Sequence, residues 1–211
     1  KRQQFADSIN YVQGGNWFFG QRYANTISTY SAQGYLKDFR VKSVASATTN
    51  DNITVPTKRL TADSNTILLV AGDTTGEIFD VTGGHNDIRA DMAQGDAGAS
   101  TAYTKFADAS MYFDGTGDYL SVSDGTNLDF SNSINGGSAS YTLETWAYPT
   151  TVAGSTTWRT ICNNGASGVY SPMYLSMQGD KLHWFASHDG SSYAIDTRTD
   201  LGSGGIHTMS A

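Results

Sequence analysis

Cysteine occurs once in this 211-residue chain, at Cys162, and glutamate twice, at Glu77 and Glu144. One cysteine excludes both an internal disulfide framework and a thiolate zinc knuckle. Lys and Arg total 13 and form no cluster, against 20 Asp plus Glu and a formal net charge of −7. Neutralising phosphates supplies most nucleic-acid affinity, so no nucleic-acid partner is expected. No run of about 18 apolar residues occurs, so no membrane span is expected. Lys1–Asn10 carries no apolar core of a secretory signal.

Eighteen of the 20 acids are Asp, and charged residues make up only 16% of the chain. The polar remainder is mostly Ser, Thr, Asn and Gly, with 23 glycines. Residues that favour helix interiors are scarce; those that favour strands and turns abound. An aromatic fraction of 12% offers rings enough to offset chain entropy by burial. The composition is that of an all-β domain.

Short strand signals run through the sequence. Asn16–Phe19 is apolar and follows Gly14-Gly15. Gly34–Val41 alternates, with Tyr35 and Phe39 in one set and the apolar Leu36 and Val41 spread along the run, as in a partly buried strand. Thr66–Val70 reads as a buried strand. Met111–Gly115 and Asp118–Val122 flank a Gly-Thr-Gly turn. Ser140–Tyr148 alternates, with Tyr141, Leu143, Thr145 and Ala147 on one face and Glu144, Trp146 and Tyr148 on the other. It is expected to be a central strand, stopped by Pro149. Met173–Met177 and Lys181–Ser187 form a hairpin pattern around Gln178-Gly-Asp180. Ser43–Pro56 reads as a linker, and Asp73–Asp108 as a long, nearly strandless loop that rejoins the sheet at Ser110. Trp17, Trp146 and Trp184 are expected in the core.

Ser110–Val122, with its Phe-Asp-Gly-Thr-Gly-Asp-Tyr-Leu core, and Tyr141–Pro149, reading Tyr-Thr-Leu-Glu-Thr-Trp-Ala-Tyr-Pro, resemble the opening strands of laminin-G-like, concanavalin A-type domains. Trp17–Arg22 and Gly34–Val41 resemble the closing strands of such a domain, with Ile53–Pro56 as its exit. The resemblance implies an antiparallel β-sandwich of jelly-roll type. It also implies an out-of-phase reading. Residues 1–58 are the closing strands of a preceding repeat plus a linker, and 59–211 are the opening two-thirds of the next, with a long loop at 73–108. A circular permutation, with the early strands folding back, is the alternative.

The sandwich resembled here hosts lectins, adhesins, hydrolases and spacers alike. The Ser/Thr/Asn/Gly-rich, Glu-poor style resembles tandem copies in bacteriophage tail-fibre and virion surface proteins. The implied role is a non-enzymatic structural or adhesive module on the virion surface, in a tail fibre or as a capsid decoration. Its partners would be other virion proteins, further repeats or like copies in a homo-oligomer, and host surface glycans. The alternatives are a secreted, extracellular bacterial adhesin or lectin, and a glycan hydrolase with an atypical site.

Glycosidases need two carboxylates across the scissile bond. The alternation around Glu144 supplies one, since Trp146 and Tyr148 follow it on the same face. Calcium takes several hard oxygen ligands, and Asp114, Asp118, Asp124 and Asn127 cluster in sequence; Asp114–Asp118 also suits a tight turn. No other cofactor is expected. His85, His183, His188 and His207 lack metal-ligand spacing, and His183 reads as a packed or surface imidazole rather than a zinc ligand. Sugars stack on exposed rings, and Trp158, Tyr170 and Tyr193 lie in Gly/Ser/Asn-rich segments that read as loops on one rim, as candidate glycan contacts.

Overall fold

The computed structural model describes residues 16–22, 30–42, 56–82, 93–122, 142–151, 156–164, 173–186 and 195–200. Among them lie thirteen strands and no α-helix. No described helix is long and apolar enough to cross a membrane. The strands form two antiparallel sheets around one core, the all-β sandwich that the composition implies.

The first sheet has seven strands. β1 (Trp17–Phe19) sits inside it between β8 (Tyr119–Val122) and β10 (Trp158–Asn164). β5 (Ala93–Gln94) borders β8, while β11 (Met173–Gln178), β12 (Lys181–Ala186) and β13 (Ile195–Asp200) extend the other side. The β11–β12 hairpin closes with Gln178 opposite Lys181, leaving Gly179-Asp180 as its loop. Gly179 has φ +60°, a value the first position of a tight hairpin turn demands and glycine takes without a Cβ clash.

The second sheet is organised on β2 (Gln33–Lys42), ten residues long. One edge of β2 is shared by β7 (Ser110–Asp114) and β3 (Thr66–Gly72), and the other is lined by β9 (Thr142–Pro149). β4 (Ile78–Asp80) adds to β3, and β6 (Gly98–Ser100) to β7. The strands expected to belong to different repeats therefore share one ladder. Gly34 pairs with Pro149, Leu36 with Ala147 and Val41 with Leu143. In this chain the closing-type and opening-type segments build the same sandwich.

Two further expectations change. β9 is not central: among the described residues its pairing is with β2 alone, so it is an edge strand. The stretch 73–108, expected to be nearly strandless, carries the short strands β4, β5 and β6. Each has two or three residues and is fixed by a distant partner strand, which leaves no periodicity to read. Residues 43–55 of the expected linker lie outside the described residues.

The core is the space between the sheets. Trp17 and Phe19 of the first sheet meet Phe39 of the second, the Phe19 and Phe39 ring centroids lying 4.6 Å apart at 63°. Leu36, Val41, Met111, Phe113, Leu143, Cys162 and Trp184 join them in the buried cluster. Burial pushes the Cys162 thiol well up, so it packs as a small hydrophobe rather than a nucleophile. Leu143 faces inward as its alternation implies, and a fully buried side chain of that size contributes about 1.5–3 kcal/mol.

Candidate functional site

β2 carries the site because its side chains change phase. Leu36 points into the core, and so do Phe39 and Val41, although an odd interval separates Leu36 from the other two. An extra residue resolves the parity. The β2–β9 register shifts between Lys37 and Arg40, and Asp38 in that interval has φ +49°. N-terminal to this bulge, Tyr35 and Lys37 are therefore on the outer face.

The neighbouring strands present rings at the same level. Tyr35 pairs with Tyr112 of β7 on one side and with Tyr148 of β9 on the other, giving a row of three tyrosines across the sheet. The Tyr35 centroid lies 4.9 Å from that of Tyr112 and 6.3 Å from that of Tyr148. Burial, with Tyr35 alongside, pushes the Tyr112 hydroxyl above its ordinary range. One step along, Lys37 pairs with Trp146.

Residues 101–108 lie over this face as a strap. Tyr103 stacks on Tyr148 with centroids 4.9 Å apart and planes 15° from parallel, and it also meets Tyr35 at 5.1 Å. Phe106 stands edge-on to Trp146 at 5.6 Å, and the Lys105 ammonium lies 4.7 Å from the Trp146 ring centroid. Trp146 is thus buried as expected, but beneath the strap on the outer face and not between the sheets. Between strap and sheet opens a cleft of about 250 Å³, lined by Tyr35, Lys37, Tyr103, Thr104, Lys105, Ser110, Trp146, Ala147 and Tyr148. Tyr103 and Tyr148 are 50% and 42% exposed, so two large rings stand in water at its edge.

A charge network holds strap to sheet. The fully buried Asp38 carboxylate accepts from the Arg59 guanidinium at 3.2 Å and from the Leu60 amide at 3.2 Å. Arg59 also donates to Asp108, at the end of the strap, whose φ is +80°. Two non-glycine residues with positive φ, each costing on the order of 1–3 kcal/mol, are thus clamped by one cation. The Lys37 ammonium donates to the Ala109 carbonyl at 2.7 Å and lies 3.5 Å from Asp38. Burial lowers its pKa against the opposing pull of Asp38.

The other sequence candidates are placed as follows. Glu144 is paired across the sheet with Arg40, which donates to it through Nε at 2.7 Å and through Nη2. Trp158 is not on a loop; it begins β10, half-buried, with its ring 4.7 Å from His183 and 5.6 Å from Phe185. His183 is buried there, as a packed imidazole should be. Tyr170, Tyr193, Asp124 and Asn127 lie outside the described residues.

Asp114 and Asp118 do come together, with Asp96 as a third member that sequence spacing did not reveal. Their carboxyl oxygens lie within 4.8 Å of one another. Asp118 is buried and accepts from Asp114 N at 2.6 Å and from Asp96 N at 3.0 Å. Gly115 and Gly117, with φ +95° and +82°, carry the chain round the turn that it closes. Burial raises the Asp118 pKa, and the Asp114 charge adds to the rise. Three hard oxygen donors suit calcium in kind, yet both Asp118 oxygens already serve backbone amides. The turn is locked by the chain itself.

No family model, curated protein or solved structure matches the chain.

Proposed function

We propose that the chain is a non-enzymatic, laminin-G-like adhesive module that binds glycans in the cleft beneath the 101–108 strap. The observation that carries this reading is the exposed, stacked Tyr103–Tyr148 pair at the edge of a cleft walled by Tyr35 and Trp146. Sugar rings present apolar C–H faces, and flat, preformed aromatic surfaces bury them at little entropic cost. Ser110 and Thr104 add hydroxyls that can exchange hydrogen bonds with a sugar. These residues replace Trp158 in the role of sugar platform.

The non-enzymatic reading is supported by Glu144, whose carboxylate is occupied by Arg40 as a structural cross-strand pair. The virion setting, in a tail fibre or head decoration, is supported by the Ser/Thr/Asn/Gly-rich, Glu-poor sequence style alone. Many copies on one particle would turn weak sites into firm attachment through effective concentration. Calcium would be held by Asp96, Asp114 and Asp118 only by sharing oxygens that already accept from backbone amides, and its mark would be a melting temperature raised by millimolar calcium in wild type and unmoved in Asp114→Asn.

The test is retention on immobilised polysaccharides, with reducing ends measured in the same tubes. Retention by wild type that is lost in Tyr103→Ala and Tyr148→Ala, with no reducing ends released, is the expected result. Reducing ends that appear with wild type and vanish with Glu144→Gln would overturn the non-enzymatic reading.

A further inference from the structure

We propose that the cleft selects acidic sugar residues, a carboxylate or sulfate ester being held by the Lys105 ammonium while the ring lies against Tyr103 and Tyr148. This rests on the cleft being the glycan site. The argument is one of charge. The chain carries 20 acids against 13 Lys plus Arg, yet the cleft lining holds two lysines, Lys37 and Lys105, and no carboxylate. Lys37 is balanced by Asp38 beneath it, which leaves Lys105, without an ion pair among the described residues, as the uncompensated charge at the cleft, opposite in sign to the chain as a whole.

The two cations differ in role. Lys37 is 2% exposed, donates to the Ala109 carbonyl and is ion-paired with Asp38, so its part is structural and its charge is balanced from beneath. Lys105 is exposed, with its ammonium over the Trp146 ring, a contact that holds the side chain beside the cleft and leaves N–H donors for a ligand. An anion there exchanges water for a charge-assisted hydrogen bond in a setting partly stripped of solvent. A neutral sugar would use the rings and hydroxyls alone. A polyphosphate is a poorer match, because its affinity grows with the number of phosphates neutralised and the cleft offers one exposed cation, Lys105.

The experiment compares retention of the full chain on alginate, dextran sulfate, neutral dextran and single-stranded DNA over a range of salt. Variants Lys105→Gln, Lys105→Arg and Tyr148→Ala accompany wild type. The expected result is binding to alginate or dextran sulfate about tenfold tighter than to neutral dextran, falling as salt rises. Lys105→Gln should erase that preference and Lys105→Arg keep it, while alginate against dextran sulfate tells carboxylate from sulfate. Equal, salt-insensitive binding to neutral dextran that still needs Tyr148 would overturn acid selection and leave the cleft as the glycan site. Binding indifferent to Tyr148→Ala would remove the cleft reading itself. Tighter retention on single-stranded DNA than on either acidic polysaccharide would overturn the proposal in favour of a polyphosphate ligand.

Discussion

Tyr103 lies face to face with Tyr148, centroids 4.9 Å apart, although one belongs to a strap without regular structure and the other to an edge strand. The contact closes one side of the cleft and depends on the strap staying where Arg59 and Asp108 hold it. Arg59→Met should therefore weaken polysaccharide retention without touching any cleft side chain. Retention measured beside near-ultraviolet circular dichroism checks this: both should fall together, whereas full retention would detach the strap from the site.

The Asp38 network gives a charge prediction. Asn tolerates a positive φ and keeps the shape of Asp, so Asp38→Asn isolates the loss of charge. Lys37 would remain buried with its ion-pair partner gone, a situation that typically costs about 3–5 kcal/mol. Adding Lys37→Met should recover part of the loss in urea unfolding. Equal midpoints for Asp38→Asn and wild type would show that the pair contributes nothing.

Core packing predicts a loss of about 2–5 kcal/mol for Leu143→Ala, since the side chain is buried between the sheets. Gly34→Ala tests the β2–β9 ladder separately. A Cβ at Gly34 would lie 2.3 Å from the Tyr148 carbonyl oxygen, and φ there is +145°. The ladder must open at its Tyr148 end, so melting temperature and retention should drop together.

How much of this was legible in the sequence depends on the range of the forces involved. The β11–β12 hairpin and the Asp114–Asp118 turn are local, and alternation with Gly and Asp marks them. The inward face of Leu143 was legible from alternation alone. β2 was not, because the Asp38 bulge switches parity and puts Tyr35 and Phe39 on opposite faces despite their even spacing. Trp146 reads as core because it is apolar in a strand; that its cover is Phe106 and Lys105, and not the opposite sheet, depends on where the strap lands. Tyr103 carries no local signal. Neither do Ile78–Asp80 and Gly98–Ser100, whose strand character exists only through β3 and β7.

The acid turn predicts a pH response. Burial first, and the Asp114 charge second, raise the Asp118 pKa, so the folded state holds this proton at a pH where the unfolded chain has lost it. Stability from this group is therefore greatest at low pH and falls as pH rises from the ordinary Asp range through the raised folded value. Asp114→Asn removes the repulsive charge and should flatten that slope. Urea midpoints compared across mildly acidic pH would show it, and identical slopes in the two proteins would exclude the coupling.

The account stands on the cleft beneath the strap being the place where ligand binds, and the indole N–H resonances of the four tryptophans report on it directly. Trp146 lines the cleft, whereas Trp17 and Trp184 lie in the inter-sheet core and Trp158 packs against His183. Titration with alginate oligosaccharides should shift the Trp146 signal progressively and leave the other three in place. A shift confined to Trp158, with Trp146 unmoved at saturation, would contradict the account.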